Sequence, residues 1–217
     1  MTGPALASNL SFLLEGFWLT IWLTLLCAAL SLPFGAVIGI FRSASIPVLR
    51  ITGTAFVEFF RNVPPLILLF FFYFGLPGAG VTVEGFTCGV LALTLYTSAF
   101  VAEAVRAGIS AVDRGQVEAA RSLGFSYFGC LRFVVFPQAV AIVLPALGNI
   151  TIGIVKNTAL VATIGVADLM HQGEVLESRT FATFSTFTIV ALFYLALIIP
   201  MSIGVNALDR RRRRMVA

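Results

Sequence analysis

From Asp113 to Pro137 the chain reads DRGQVEAARSLGFSYFGCLRFVVFP, a polar and basic stretch inside a sequence that is otherwise mostly apolar. Asp113 followed three residues later by Gln116 reads as a capping box, so a helix is predicted to start there. Gly124 suits the left-handed residue just past that helix's end. The helix between them is about ten residues, roughly 15 Å at about 1.5 Å per residue. Ala119, Ala120 and Ser122 give it a small-residue surface that another protein's groove can approach closely. Ser126 is placed to cap a second helix, and Pro137 marks a break or kink on the way into the next apolar run.

Around this stretch, the 217 residues are 59% hydrophobic and only 11% charged, with a mean hydropathy of +1.01. That is the composition of a polytopic membrane protein rather than a soluble domain. The formal net charge is +4, and Lys156 is the single lysine among the basic residues. A P-loop requires Gly-Lys followed by Ser or Thr, whereas Lys156 stands between Val155 and Asn157. The chain is therefore read as having no Walker-type ATPase site and no cofactor of its own, and it is not read as an enzyme. Cys27, Cys88 and Cys130 are odd in number and lack C-x-x-C spacing, so they read as packing residues. His171 has no partner at ligand spacing, and no metal site is expected.

Apolar runs predict an all-α integral membrane protein, a single transmembrane domain over residues 1–217. Five membrane helices are expected at about 16–41, 54–76, 85–102, 133–155 and 181–208, with a polar loop at about 107–132. Met1 to Glu15 lacks the basic region of a signal peptide, so the first helix is read as retained. Trp18 and Trp22 suit a membrane interface, and Gly35 and Gly39 form a G-x-x-x-G pair that permits close helix packing. Glu58 and Arg61 lie three apart and are expected to pair, before Pro64 and Pro65 interrupt the second helix. Tyr96, Thr97 and Ser98 are polar within a span and are expected to face protein or a pathway instead of lipid. Ala159 to Ala167 is too short to cross, so a re-entrant or interfacial segment is expected there. Twelve arginines, including the Arg210–Arg214 run, fall on one side of these spans, against Lys156 and Arg179 on the other. The positive-inside rule then puts the N-terminus outside, and the C-terminus and the 107–132 loop in the cytoplasm.

Glu118-Ala119-Ala120, then Gly124, then Val134-Val135-Phe136-Pro137 resembles the EAA loop of ABC-transporter permeases. Val134 stands where Ile is usual and Phe136 where Leu is usual, both apolar exchanges. Two further strings, FFRNVPPL and KNTALVATIGVADL, are similar to segments of the polar amino-acid permeases of the His/Glu/Gln/Arg type, with Val63 for the usual Thr and Ala159 for the usual Ser. The resemblance covers roughly Phe56 to Leu169. It implies a type I ABC importer permease core in the bacterial inner membrane, carrying a polar amino acid by alternating access. The implied partners are ABC ATPase subunits that bind ATP and magnesium, a second permease (identical or related), and an external solute-binding protein. It also implies that Glu118, Ala119, Ala120, Gly124 and Pro137 belong to the ATPase-coupling element, with the helix containing Glu118 as the coupling helix.

For the substrate path the residues themselves offer groups that are expensive in lipid unless paired or used, at about 2.5–3.5 kcal/mol per charge at mid-membrane. Lys156, Asn157, Thr158 and Asp168 lead, followed by Arg61 and Glu103, a set holding both signs of charge as a zwitterion requires. The alternative reading is a self-sufficient secondary transporter or channel for small polar solutes. It commonly calls for internal repeats or more helices, of which the sequence shows no sign, and it leaves the EAA loop unexplained.

Overall fold

The computed structural model describes the backbone of residues 3–216 and the side chains of residues 9–210. The side chains of residues 211–214, most of the arginine run read as a topology anchor, lie outside the described residues, as do residues 1–2 of the N-terminal segment. In chain order the helices are α1 (Gly3–Ser43), α2 (Pro47–Asn62), α3 (Pro65–Gly78), α4 (Gly85–Ser110), α5 (Arg114–Ser122), α6 (Tyr127–Ile164), α7 (Leu169–Thr180) and α8 (Thr183–Val216). Every regular element among the described residues is helical, in agreement with the sequence reading. Within α1, α4, α6 and α8 lie segments long and apolar enough to cross a bilayer.

The second expected span behaves differently. Helices α2 and α3 are bent by 98° at Val63–Pro64, so the count is four spans, or five if this pair is one broken span. Pro65 lacks an N–H and its ring opposes a continuing helix, while Pro64 holds an extended backbone with ψ 136°. The expected discontinuity is present, but it is a sharp corner instead of an interruption within a 54–76 crossing. Helix α4 also runs on to Ser110, eight residues beyond the expected end at 102, and α6 begins at Tyr127 instead of about 133.

Two helices carry five-residue π segments, Phe71–Gly75 in α3 and Leu131–Val135 in α6. Both stop one residue short of a proline, Pro77 and Pro137. In each, the residue before the proline donates five back: Leu76 to the Phe71 carbonyl and Phe136 to the Leu131 carbonyl. A proline cannot donate to the carbonyl four residues back and crowds it, so a widened preceding turn is its mechanical consequence.

The chain clusters into two compact units. One gathers the chain up to Leu30 with Val63–Tyr96 and Thr151–Met201. Its core holds Leu13, Leu169, Leu176 and Val190, with Phe12, Phe17, Met170, Phe193 and Tyr194 packed around them. Gly16 lies so close to the turn before α7 that a Cβ there would stand 2.7 Å from the Asp168 carbonyl oxygen. The segment expected to be re-entrant is a 3-10 helix, Thr158–Ile164, ended by Gly165 at φ 76°.

The other unit gathers Ser31–Asn62, Thr97–Ile150 and the chain from Ser202. Here the G-x-x-x-G pair packs α1 onto α4 as expected. A Cβ on Gly35 would meet the Ser98 carbonyl oxygen at 2.6 Å, and one on Gly39 the Ala102 carbonyl oxygen at 2.7 Å. Thr97 and Ser98 are buried, and the Ser98 hydroxyl donates to the Ser31 carbonyl at 3.4 Å, so these polar groups face protein.

Candidate coupling and translocation sites

Helix α5 is built from both ends by local chemistry. The Asp113 carboxylate accepts from the Gly115 N–H at 2.6 Å, which caps the helix one residue earlier than a capping box through Gln116 would. The C-terminus closes as a Schellman motif: Gly124 N–H donates to the Arg121 carbonyl at 2.9 Å and Phe125 N–H to the Ala120 carbonyl at 3.1 Å. Gly124 sits at φ 87°, the left-handed conformation expected of it. Ser126 then caps the start of α6 by accepting from the Gly129 N–H at 3.1 Å.

Side chains divide across this nine-residue helix. Glu118 and Ala119 are exposed, whereas Ala120 is buried. Only one of the two alanines therefore offers its surface outward; the other is occupied within its own unit. Val117 packs against a cluster of Val112, Val135 and Ala139, which fixes α5 to the ends of α4 and α6. Pro137 lies off α5, in α6 just beyond the π segment.

Arg61 and Glu103 do come together, but in company. Glu103 is the hub of three arginines: Arg42 donates to its Oε2, Arg61 Nη1 stands 3.5 Å from the same oxygen, and Arg106 donates to Oε1 at 2.5 Å. The expected Glu58–Arg61 pair is not made; Glu58 instead accepts from the Asn62 side chain, at its carbonyl at 2.6 Å and its carboxylate at 3.4 Å. Arg61 reaches across to α4 and lies over the Phe100 ring at 5.5 Å. Glu103–Arg106 is an i,i+3 pair and was visible as spacing. Arg42 is 61 residues from Glu103, and no local signal announces it.

Lys156, Asn157, Thr158 and Asp168 belong to the other unit. Lys156 is exposed and Asn157 half-buried. Thr158 and Asp168 are fully buried and take part in a polar joint that the sequence reading did not anticipate. One Asp168 oxygen accepts from the His171 N–H at 2.9 Å, capping α7, and the other accepts from the Tyr194 hydroxyl at 3.3 Å. Thr20 accepts from the Leu169 N–H at 3.1 Å, and Thr158 donates to the Val155 carbonyl at 2.7 Å. Burial pushes the Asp168 carboxyl up to about 6, against the opposing pull of the N–H groups and the Tyr194 hydroxyl. A tyrosine and a threonine inside apolar spans are the signals that point to such a joint.

Comparison with known proteins places this architecture. Residues 31–214 match the family described as binding-protein-dependent transport system inner membrane component. The probable glutamine ABC transporter permease protein GlnM of Bacillus subtilis (strain 168) is 46% identical over 211 residues, covering 97% of this chain and 98% of that protein. The glutamate transport system permease protein GluC of Corynebacterium glutamicum is 36% identical, over 92% of this chain and 93% of its own. A crystal structure of an amino acid ABC transporter with histidines superposes with a TM-score of 0.91 at 36% identity, over 97% of this chain and 99% of that one. The MetNI methionine ABC transporter shares the fold alone, with a TM-score of 0.80 at 22% identity. The chain therefore belongs to the binding-protein-dependent inner membrane components, and within them to the multi-pass permease subunits of amino-acid ABC transporters.

Proposed function

We propose that this chain forms the membrane pathway of a bacterial importer for a polar amino acid, driven by a separate ATPase that binds ATP and magnesium. The observation that carries the reading is α5: a short helix capped at both ends, anchored through Val117 and Ala120, with Glu118 and Ala119 free on its outer side. A rigid, anchored projection transmits force; a loosely tethered loop would absorb it. In this reading α5 enters a cleft of the ATPase, Glu118 makes polar contacts there, and Ala119 allows close approach. Gly124 reverses the chain, and Pro137 with its π segment aims α6 back into the membrane. α5 and the C-terminus lie on the cytoplasmic side, and the N-terminus lies outside.

The partners are two ATPase subunits, a second permease and an external solute-binding protein. In the pathway we assign Lys156 and Asn157 to contact with the solute, because they are the accessible members of their group. Thr158 and Asp168 act from behind, at the two ends of the segment that follows Lys156 and Asn157. Arg61 and Glu103 form part of a charged hub in the other unit.

The test is ATP-dependent uptake by proteoliposomes containing this chain, its ATPase and its binding protein, with Glu118→Lys as the paired variant. Uptake and stimulated hydrolysis should both collapse in a variant that still folds in the membrane. Uptake that persists without any ATPase would instead establish a secondary transporter or channel.

A further inference from the structure

Helices α1, α4 and α6 frame an apolar groove within one compact unit. Its inner part, about 240 Å³, is lined by Ala36, Ile40, Val105, Ile109 and Ala139 among others, and no polar side chain enters it. A second part, about 480 Å³, continues from it, sharing Ile40, Ile109, Phe136 and Ala139. Among the described residues, Arg132 is the one charged residue lining this second part, beside Phe128 and Leu131. The π segment Leu131–Val135 contains Arg132, and the widened turn sets Arg132 and Phe136 along the groove. The Arg132 guanidinium lies 5.5 Å over the Phe133 ring. It has no carboxylate within ion-pair distance among the described residues, in contrast to the three arginines gathered on Glu103.

From Arg132 to Leu147 along α6 is roughly 22 Å at about 1.5 Å per residue. That exceeds the roughly 15 Å depth of one leaflet's hydrocarbon, half of a core about 30 Å thick. A long apolar trough between membrane helices, lined near the start of α6 by a cation without a carboxylate partner among the described residues and with an aromatic beside it, has the shape and charge of one kind of molecule. We propose that this groove is a binding site for an anionic glycerophospholipid, with an acyl chain along Ala36, Ile40 and Ala139 and the phosphate at Arg132.

The experiment is native mass spectrometry of the complete permease–ATPase complex, delipidated and titrated with dioleoyl-phosphatidylglycerol or dioleoyl-phosphatidylcholine. Phosphatidylglycerol should bind more tightly, and Arg132→Gln should weaken it about fivefold, the equivalent of about 1 kcal/mol for one arginine near a membrane surface. Arg132→Lys should keep most of the preference, and Ala36→Phe should reduce both lipids by filling the trough. Equal binding of the two lipids, or wild-type phosphatidylglycerol affinity in Arg132→Gln, would overturn the assignment even if Ala36→Phe fails to fold. A disulfide formed between two copies through Val140→Cys, with lipid binding unaffected by Ala36→Phe, would give the groove to a second permease instead.

Discussion

Removing the charge of Glu103 while keeping its shape, as Glu103→Gln, leaves three guanidinium groups converging on an uncharged amide. The consequence depends on how buried each arginine is. The Arg42 side chain is only 9% exposed, and loss of its counter-charge strands a cation away from water. Breaking a buried pair this way costs about 3–5 kcal/mol, most of it the penalty on the partner left behind. Arg61 and Arg106 are 40% and 38% exposed, so solvent screens them and together they add no more than about 1 kcal/mol. The expected loss is therefore about 3–6 kcal/mol, and most of it is Arg42's. Removing the stranded cation as well, in Glu103→Gln with Arg42→Met, should recover about 2 kcal/mol or more. Unfolding in mixed detergent micelles, followed by far-UV circular dichroism, measures both variants. If Glu103→Gln lies within about 1 kcal/mol of the wild type, or if Arg42→Met lowers stability further in that background, Glu103 is not neutralising a buried cation and the reasoning fails.

Gly124→Ala places a Cβ at φ 87° and should cost about 1–2 kcal/mol, read as a lower melting temperature, with Gly124→Asn losing less. Gly39→Val inserts a branched side chain where a Cβ already meets the Ala102 carbonyl at 2.7 Å; overpacking of about 1–3 kcal/mol is expected, and a neutral result would mean that α1 and α4 can separate freely. Asp168 has its carboxyl raised from 3.8 to about 6, so the fold favours its protonated form. Its contribution is fully present below about pH 4 and is lost as pH rises through 6, amounting to about 3 kcal/mol at most. His171 and the Tyr194 hydroxyl face the same carboxylate, so the measured quantity is the difference between wild type and Asp168→Asn. That difference should shift in favour of Asp168→Asn between pH 4 and 7; parallel pH profiles would show that the joint is already open to water.

The features legible in the sequence were those whose physics is local or periodic. Asp113, Gly124 and Ser126 are caps, and a cap is decided within a few residues of itself. The glycine pair at 35 and 39 recurs at helical spacing, so its packing role was readable without knowing that α4 is the partner. Glu58–Arg61 had the same kind of spacing and failed, because Arg61 finds Glu103 and the Phe100 ring across the helix boundary. Spacing states which side chains could meet on one helix; it cannot weigh that against a partner from another. Ala120 shows the same limit, since its burial depends on what lies beneath α5. Arg42 and Tyr194, which complete the charged hub and the polar joint, are 61 and 26 residues from the groups they serve. Thr158 and Asp168 stand out in the sequence as polar groups that lipid would not tolerate, and burial with hydrogen-bonding neighbours answers that intolerance as well as solute contact does.

Prolines and glycines divide the chain into stiff and interrupted parts. Between Gly35 and Gly39, α1 lies against α4 at backbone contact, an arrangement with no room to slide. Elsewhere the helical ladder is broken: the corner at Val63–Pro64, the π segments before Pro77 and Pro137, and the 3-10 stretch Thr158–Ile164. At each break, backbone bonds are already displaced from the four-back pattern, so a change of angle there disrupts fewer formed bonds than one in an intact helix. One break adjoins α5, and another adjoins Lys156 and Asn157. In the proposed function, where a push on α5 becomes a change around a solute, compliance is needed at those two places and rigidity in between. Replacing Pro137 by alanine should restore four-back bonding in α6 and stabilise the chain, while weakening the coupling of uptake to ATP hydrolysis. A variant that is more stable and equally well coupled would show that the π segment is only a packing accommodation.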